Sequence, residues 1–178
     1  NNPIYLEIMG QRPEIRVDKL ENDSTDAVVG PILAAAHAYQ ISSARDELPV
    51  KYHAAKELLA RTPNLLVVST GGAGFDTVNV KDCTDAGVLV VNQTGGNADA
   101  VAAHVLAMML ALSKQITQTD HTLRKGTMHD RNAFMGSDIN GRIIGIVGLG
   151  NVGLRIARLC RTLFDMQVLA YDPYLNDA

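Results

Sequence analysis

Nine residues constrain what this chain can fold into more than any others: Gly145-Ile146-Val147-Gly148-Leu149-Gly150-Asn151-Val152-Gly153. An apolar run, Ile143 to Val147, leads into them, and an amphipathic run, Leu154 to Phe164, leads out. A second apolar run, Val168 to Tyr171, then ends on Asp172. Strand, glycine turn, helix, strand and acid in that order form the dinucleotide-binding fingerprint in its required context.

Each glycine has a separate steric task. Gly148 lets the chain turn sharply off its strand, and Gly150 removes the Cβ that would hold a pyrophosphate away from the backbone. Gly153 lets the helix lie close against the strand. The amides of Asn151 and Val152 then fall at a helix N-terminus, where free N–H groups and the helix dipole favour an anion. Asp172 follows Gly153 by 19 positions, near the spacing at which a carboxylate accepts from ribose hydroxyls. A carboxylate there repels a 2′-phosphate, so the expected cofactor is NAD rather than NADP.

The 178 residues allow one domain or two small ones, and 47% apolar with 20% charged residues is an ordinary globular composition. A net charge of −3 without a basic cluster points to neither nucleic acid nor an anionic membrane as partner. Cys83 and Cys160 lack metal-ligand or redox spacing, as expected of reduced thiols in a cytoplasmic protein. Asn1-Asn2-Pro3 shows no basic segment followed by an apolar one, so no signal peptide is expected. The longest apolar run, Ala98 to Leu112, is interrupted by Asp99 and His104 and is too short to span a bilayer.

Taken in order, Ile4 to Ile8 reads as a short strand and Ile15 to Leu20 as a second run. Ser24-Thr25-Asp26 caps a helix toward Ala38 that Gly30-Pro31 interrupts. Tyr39-Gln40-Ile41 reads as a strand edge, and Val50 to Ala60 has helical spacing up to Pro63. Leu65 to Val68 and Val88 to Val91 read as buried parallel strands, with a helix from Val78 to Ala86 ending on Gly87. Strands and helices alternate, which predicts an α/β fold with helices on both faces of a parallel sheet. Ligands bind such sheets beyond the carboxyl ends of the strands, where Gly71-Gly72-Ala73-Gly74 and Gln93 to Gly96 fall. Asn97 caps a long helix, Ala98 to Ile116, apolar nearly all round and therefore packed on several sides, as between two domains. The domain boundary is placed at Gly96, giving a substrate lobe, 1–96, and a nucleotide lobe, 97–178. Lys125 to Asn140 reads as a polar surface connection. Met108 and Met109 read as core residues, His104 as a core or interface histidine, and Asp76 as hydrogen-bonding its own loop.

These residues resemble the NAD-dependent D-2-hydroxyacid dehydrogenases, especially the phosphoglycerate dehydrogenase-like branch. The resemblance rests on Gly72-Ala73-Gly74-Phe75-Asp76, on Asn92 with Gly95-Gly96-Asn97, on Phe134-Met135-Gly136 with Asn140-Gly141-Arg142, and on the fingerprint through Tyr171-Asp172-Pro173-Tyr174. It covers roughly residue 40 onward. It implies two Rossmann- or flavodoxin-like lobes with NAD in the cleft, bound by Gly148, Gly150, Asn151, Val152, Gly153, Asp172 and Ala73. The carboxylate of a small 2-hydroxy or 2-oxo acid would meet Gly72, Ala73 and Gly74, with Asn97 a nearby polar contact and hinge. It also implies hydride transfer at C2 and a homodimer formed through the nucleotide lobe and the long helix.

The chain departs from the family pattern in places. Thr77 follows Asp76 where Asn is usual, Asn79 stands for Asp, Thr94 for Pro, Ala103 for Glu and Asp165 for Gly. Ser42 stands where phosphoglycerate enzymes carry an arginine, with Arg45 three residues on, so a phosphorylated substrate is not implied. The family's catalytic arginine, carboxylate and histidine lie downstream of the position matching Asp172. None of His37, His53, His104, His121 or His129 matches the motif, so no catalytic residue is assigned, and no metal. By this reading the nucleotide lobe is incomplete, the 178 residues are the amino-terminal portion of a longer enzyme, and alone they are inactive. Two alternatives fit the same residues: a non-catalytic NAD(H)-binding regulator or scaffold on the same fold, and an S-adenosylmethionine-dependent methyltransferase. The 140 residues before the fingerprint, with their own glycine loop, argue against the second.

Overall fold

The computed structural model describes residues 3–21, 23–126 and 130–175. The chain divides into two compact units, Asn1–Gln93 and Thr94–Ala178. Both are α/β.

The first unit begins with α1 (Pro3–Gly10) and α2 (Asp26–Ala35), followed by β1 (Ala38–Ile41). After 3-10 turns at Arg45–Glu47 and Val50–Tyr52 come α3 (Lys56–Leu59), β2 (Val67–Thr70), α4 (Val80–Asp85) and β3 (Leu89–Val91). The three strands form a parallel sheet in the order β1-β2-β3, with Val68 opposite both Tyr39 and Val90. Ile41, Ala54, Leu65, Val68, Val78, Cys83 and Val88 make one core cluster. Val29, Leu33, Tyr52 and Leu58 make a second, with Tyr39 and Leu48 touching both. Leu58 is buried to 1% exposure, a gain of roughly 1.5–3 kcal/mol.

Several expectations for this unit are corrected. Ile4 to Ile8 is helical, not a strand: Pro3 opens the helix, where a missing N–H costs nothing, and no α1 residue is buried. The alternation of Ile4, Leu6 and Ile8 therefore faces no sheet. Ile15 to Leu20 forms no regular element. α2 runs straight through Gly30-Pro31, with Val29 and Leu33 buried on either side, but stops at Ala35. Thr25 holds its N-cap position without a side-chain bond. The helix expected from Val50 to Ala60 is broken at His53 to Ala55, because Ala54 is drawn into a parallel bridge with Val78. Ala54 N donates to Thr77 O at 2.9 Å, and Asn79 N donates to Ala54 O at 2.9 Å. Two long-range bonds outweigh a local propensity. β2 begins at Val67, two residues later than expected. α4 is shorter than expected at its start, where the Asn79 side chain accepts from Asp82 N, and Gly87 ends the turn with φ +73°.

The second unit holds α5 (Ala98–Ser113), α6 (Ile116–Arg124), β4 (Ile143–Val147), α7 (Asn151–Phe164) and β5 (Gln167–Tyr171), with a 3-10 turn at Arg131–Phe134. β4 and β5 pair in parallel from Ile143 opposite Gln167 to Val147 opposite Tyr171. Ala102 of α5 packs with Ile156, Cys160 and Met166, beneath Ile144 and Ile146 of the sheet. Cys83 and Cys160 are buried free thiols, and burial pushes both up from the ordinary thiol range.

The long helix expected to reach Ile116 ends at Ser113. Gln115 adopts the left-handed conformation (φ 53°), and α6 sets off at 61° to α5. α5 is also less buried than its composition suggests. Ala98 and Ala102 are buried, whereas His104, Met108 and Leu112 are exposed, Leu112 by 73%, so Met108 is not a core residue and, of the two readings of His104, the core one fails. Asn97 stands at the N-cap position but its side chain makes no cap bond. Among the described residues no single helix is long and apolar enough to cross a membrane. Part of the expected connection, 127–129 with His129, lies outside the described residues. Asp165 ends α7 in the left-handed conformation (φ 48°), a role asparagine and aspartate tolerate where glycine is usual.

Candidate functional site

The glycine turn is built as its sequence demands. Gly148 sits at φ +91°, which a residue with a Cβ rarely adopts, and its N–H donates to Tyr171 O at 2.7 Å. A Cβ on Gly153 would collide with the carbonyl oxygen of Gly148 and stand 3.4 Å from Ile146 Cγ2. The helix therefore lies against the strand only because position 153 is bare. A Cβ on Gly150 would meet nothing within 4 Å. The space in front of Gly150 is open, as an approaching phosphate requires.

α7 starts at Asn151 with Gly150 as N-cap, and its first intrahelical bond is Leu154 N to Gly150 O at 3.0 Å. The N–H groups of Asn151, Val152 and Gly153 precede that bond and have no acceptor within the helix. Together with the α7 dipole they form an anion site beside an open face. Gly95, at φ +83°, comes up to this turn: a Cβ there would stand 3.4 Å from Asn151 Nδ2. Asp99 on the first turn of α5 pairs with Arg155 Nε, and Arg155 Nη1 donates to Asn151 O at 2.8 Å.

Asp172 caps the same turn from the end of β5. Its Oδ2 accepts from Leu149 N at 2.7 Å and its Oδ1 from Tyr174 N at 2.9 Å. The Tyr174 and Leu149 amides hold its carboxyl below the usual carboxylate range. A depressed carboxyl favours the fold above its unfolded value and loses that contribution as pH falls through its folded value. At neutral pH the group is an anion. Each oxygen keeps a further lone-pair position for a hydroxyl donor. These two amide bonds were not visible in the sequence. The Leu149 contact spans 23 residues, and a spacing rule names the acid but not its resting partner.

In the first unit, the loop after β2 shows a second pattern. The Thr70 hydroxyl lies 3.1 Å from Gly72 O and 2.8 Å from Gly74 O, Asn92 Nδ2 donates to Ala73 O at 2.8 Å, and Gln93 N donates to Gly72 O at 3.0 Å. The three carbonyls are thus tied into the protein. Among the described residues the N–H groups of Gly72, Ala73 and Gly74 donate to no protein acceptor. Successive backbone amides without a protein acceptor are free to donate to an anion. A Cβ on Gly72 would stand 2.8 Å from Ser43 Oγ, so the loop packs closely on Ser43. Arg45 Nε donates to Asp76 O at 3.0 Å. It is thus the Asp76 carbonyl, and not the carboxylate expected to bond its own loop, that the described contacts engage.

Gly148, Gly150, Asn151, Val152, Gly153 and Asp172 therefore gather at one turn of the second unit, and Gly72, Ala73 and Gly74 in one loop of the first. Asn97 stands at the α5 N-cap in the second unit. Thr70, Asn92 and Ser43 shape the first-unit loop, and only Asn92 was marked by a sequence pattern.

A parallel β-α-β unit with an open glycine turn, free helix N-terminal amides and an acid at the end of the second strand defines a dinucleotide-binding Rossmann module. Residues 106–178 match the family model described as D-isomer specific 2-hydroxyacid dehydrogenase, NAD binding domain. The chain belongs to that family. It is 38% identical over 120 residues to D-3-phosphoglycerate dehydrogenase of Archaeoglobus fulgidus, covering 67% of this chain and 22% of that protein. It is 43% identical over 122 residues to the enzyme of that name from Mycobacterium tuberculosis, covering 68% and 23%. The chain thus spans under a quarter of the length of these curated relatives. The crystal structure of D-lactate dehydrogenase from Aquifex aeolicus, complexed with NAD and lactic acid, superposes with a TM-score of 0.77 at 24% identity. That match covers 99% of this chain and 49% of the other, and at this identity it establishes the fold.

Proposed function

We propose that this protein is an NAD-dependent oxidoreductase that moves a hydride between NAD(H) and C2 of a small D-2-hydroxy or 2-oxo acid, in the manner of the phosphoglycerate dehydrogenases. The observation that carries the reading is the entrance to α7, where three amides without intrahelical acceptors stand beside open space at Gly150, in a segment matching an NAD-binding domain. Gly148, Gly150, Asn151, Val152 and Gly153 would hold the pyrophosphate, and the Asp172 carboxylate the adenosine ribose. Gly72, Ala73 and Gly74 would take the substrate carboxylate on their amides, with Asn97 as a polar contact. Ala73 is assigned to the cofactor as well. NAD, when bound, supplies the hydride chemistry, and these residues bind and orient.

A fluorescence titration with NADH tests the reading. Saturable binding is expected, with NADPH weaker by about tenfold or more and S-adenosylmethionine failing to compete. Asp172→Asn is expected to weaken NADH by about tenfold, the scale of one hydrogen bond to a charged group, and to weaken NADPH less. Absence of saturable NADH binding, or equal loss of both cofactors in the variant, overturns the assignment.

The homodimer belongs to the same reading. The exposed Met108 and Leu112 on α5 and Ile116 and Leu123 on α6 support it, since a long helix carrying such residues suits burial against a second copy. Sedimentation velocity at micromolar concentration is expected to give a species of twice the 19.1 kDa chain mass. A monomer across that range removes the dimer from the proposal.

A further inference from the structure

We propose that the Asp99–Arg155 ion pair sets the affinity of the α7 entrance for a dinucleotide, the acid neutralising a cation that would otherwise act on the pyrophosphate. The inference rests on the reading of that entrance given above.

The placement of Arg155 is the starting observation. Side chains on a helix lean toward its N-terminus, and Arg155 leans far enough for Nη1 to reach the carbonyl of Asn151, the first residue of α7. Its guanidinium is thereby held within about one helical turn, roughly 5 Å, of the amides of Asn151, Val152 and Gly153. A cation near a helix N-terminus is disfavoured by the dipole of its own helix. Asp99 offsets that. It lies on the first turn of α5, where an acid is favoured by the α5 dipole, and it accepts from Arg155 Nε. Asp99 is the single acid on α5, and Arg155 is the first of the three arginines on α7.

The pair is poorly placed to act only as a strut. The Asp99 side chain is 89% exposed and that of Arg155 35%, and exposed pairs contribute little to stability. Its field, however, falls on the turn that would receive two phosphate charges. With both members present the field nearly cancels. Removing the Asp99 charge leaves Arg155 anchored on Asn151 O with its charge uncompensated. Removing Arg155 leaves an uncompensated acid beside an anion site.

The two halves of one ion pair are therefore expected to shift affinity in opposite directions. A strut would lose the same contact in either variant, and both would shift the same way. We expect Asp99→Asn to tighten NADH binding by about threefold and Arg155→Gln to weaken it by about threefold. That is the size expected of one unit charge acting over about 7 Å through a near-aqueous dielectric. Inorganic pyrophosphate, used as a competitor, should shift with the same signs. Arg155→Lys, which keeps the charge, should stay within about twofold of wild type. Asp120→Asn makes the same change of charge on α6, where Asp120 pairs with Arg124, and should leave affinity unchanged. In 1 M KCl, where the screening length is about 3 Å, both shifts should collapse toward wild type.

Fluorescence titrations at low salt, with thermal midpoints on the same samples, decide the matter. Opposite shifts that vanish in salt support the inference. If wild type binds but both variants weaken, or neither moves, it is overturned. If Arg155→Gln does not fold, Asp99→Asn alone carries the sign, and unchanged or weaker binding overturns the inference. Failure of wild type to bind NADH overturns the reading beneath it, and the inference falls with it.

Discussion

Gly150→Val is expected to abolish measurable NADH binding while leaving the second unit folded. Gly150 has φ −70°, an ordinary value for any residue, and a Cβ there would meet no atom of the chain within 4 Å. The substitution therefore meets no steric clash and costs the fold only the poorer N-cap preference of valine, about 1 kcal/mol. What the side chain fills is the space through which a phosphate reaches the α7 amides. Gly153→Ala is the opposite case. A Cβ there would run into the Gly148 carbonyl oxygen, stand 3.1 Å from the Gly148 carbonyl carbon and 3.4 Å from Ile146 Cγ2. Two of those atoms are backbone and cannot rotate away. Overpacking of this kind costs about 1–3 kcal/mol, or several degrees of thermal midpoint in a unit of this size, and binding should fall with it. Circular dichroism melts beside NADH titrations separate the two. Wild-type affinity in Gly150→Val, or an unshifted melt in Gly153→Ala, would show that the turn works otherwise than its geometry indicates.

That contrast also explains what could be read from the sequence. In the fingerprint each requirement is local. Gly148 needs a positive φ, Gly153 needs close approach to a strand, Ile143–Val147, that ends just before the glycine turn, and the apolar spacing of α7 faces that strand. β4 matches its expected bounds, Ile143–Val147, and β5 differs by one residue at its start. Expectations failed where a distant partner decided the outcome. Ala54 is helical by spacing but is held by Thr77 and Asn79. Ile4 to Ile8 alternates like a strand but has no sheet to join. In the site, the glycines and Asp172 were legible as residue types at fixed offsets. The bonds that hold them were not: Asp172 to Leu149 spans 23 residues, Asn92 to Ala73 spans 19, and Asp99 to Arg155 spans 56. No periodicity or turn rule reaches across such distances.

Thr70 illustrates the same limit, and its replacement by valine is expected to disable the Gly72–Gly74 loop. Thr70 is fully buried at the end of β2, and valine there would read in a sequence as simply a better strand residue. The shapes are nearly identical, so no cavity opens. The hydroxyl, however, lies 3.1 Å from Gly72 O and 2.8 Å from Gly74 O. It carries one proton, and the shorter contact makes Gly74 O its main acceptor. Gly72 O retains its bond from Gln93 N, but Gly74 O has no second donor among the described contacts. A carbonyl left unpaired against a methyl group costs about 1–3 kcal/mol. The loop can relieve that cost by rotating the Gly74 peptide toward water, and glycine offers no steric resistance. The Gly74 carbonyl shares its peptide plane with the Phe75 N–H, so such a rotation turns the backbone at Gly74 and disturbs the end of the amide row proposed to receive the substrate carboxylate. Thr70→Val should therefore lower stability by about 1–3 kcal/mol in urea melts and weaken binding of a 2-oxo acid by tenfold or more. Thr70→Ser, which keeps the donor, should restore binding even where the lost methyl keeps stability low. If serine and valine weaken binding equally, the hydroxyl does not hold the loop and the contribution of Thr70 is packing alone.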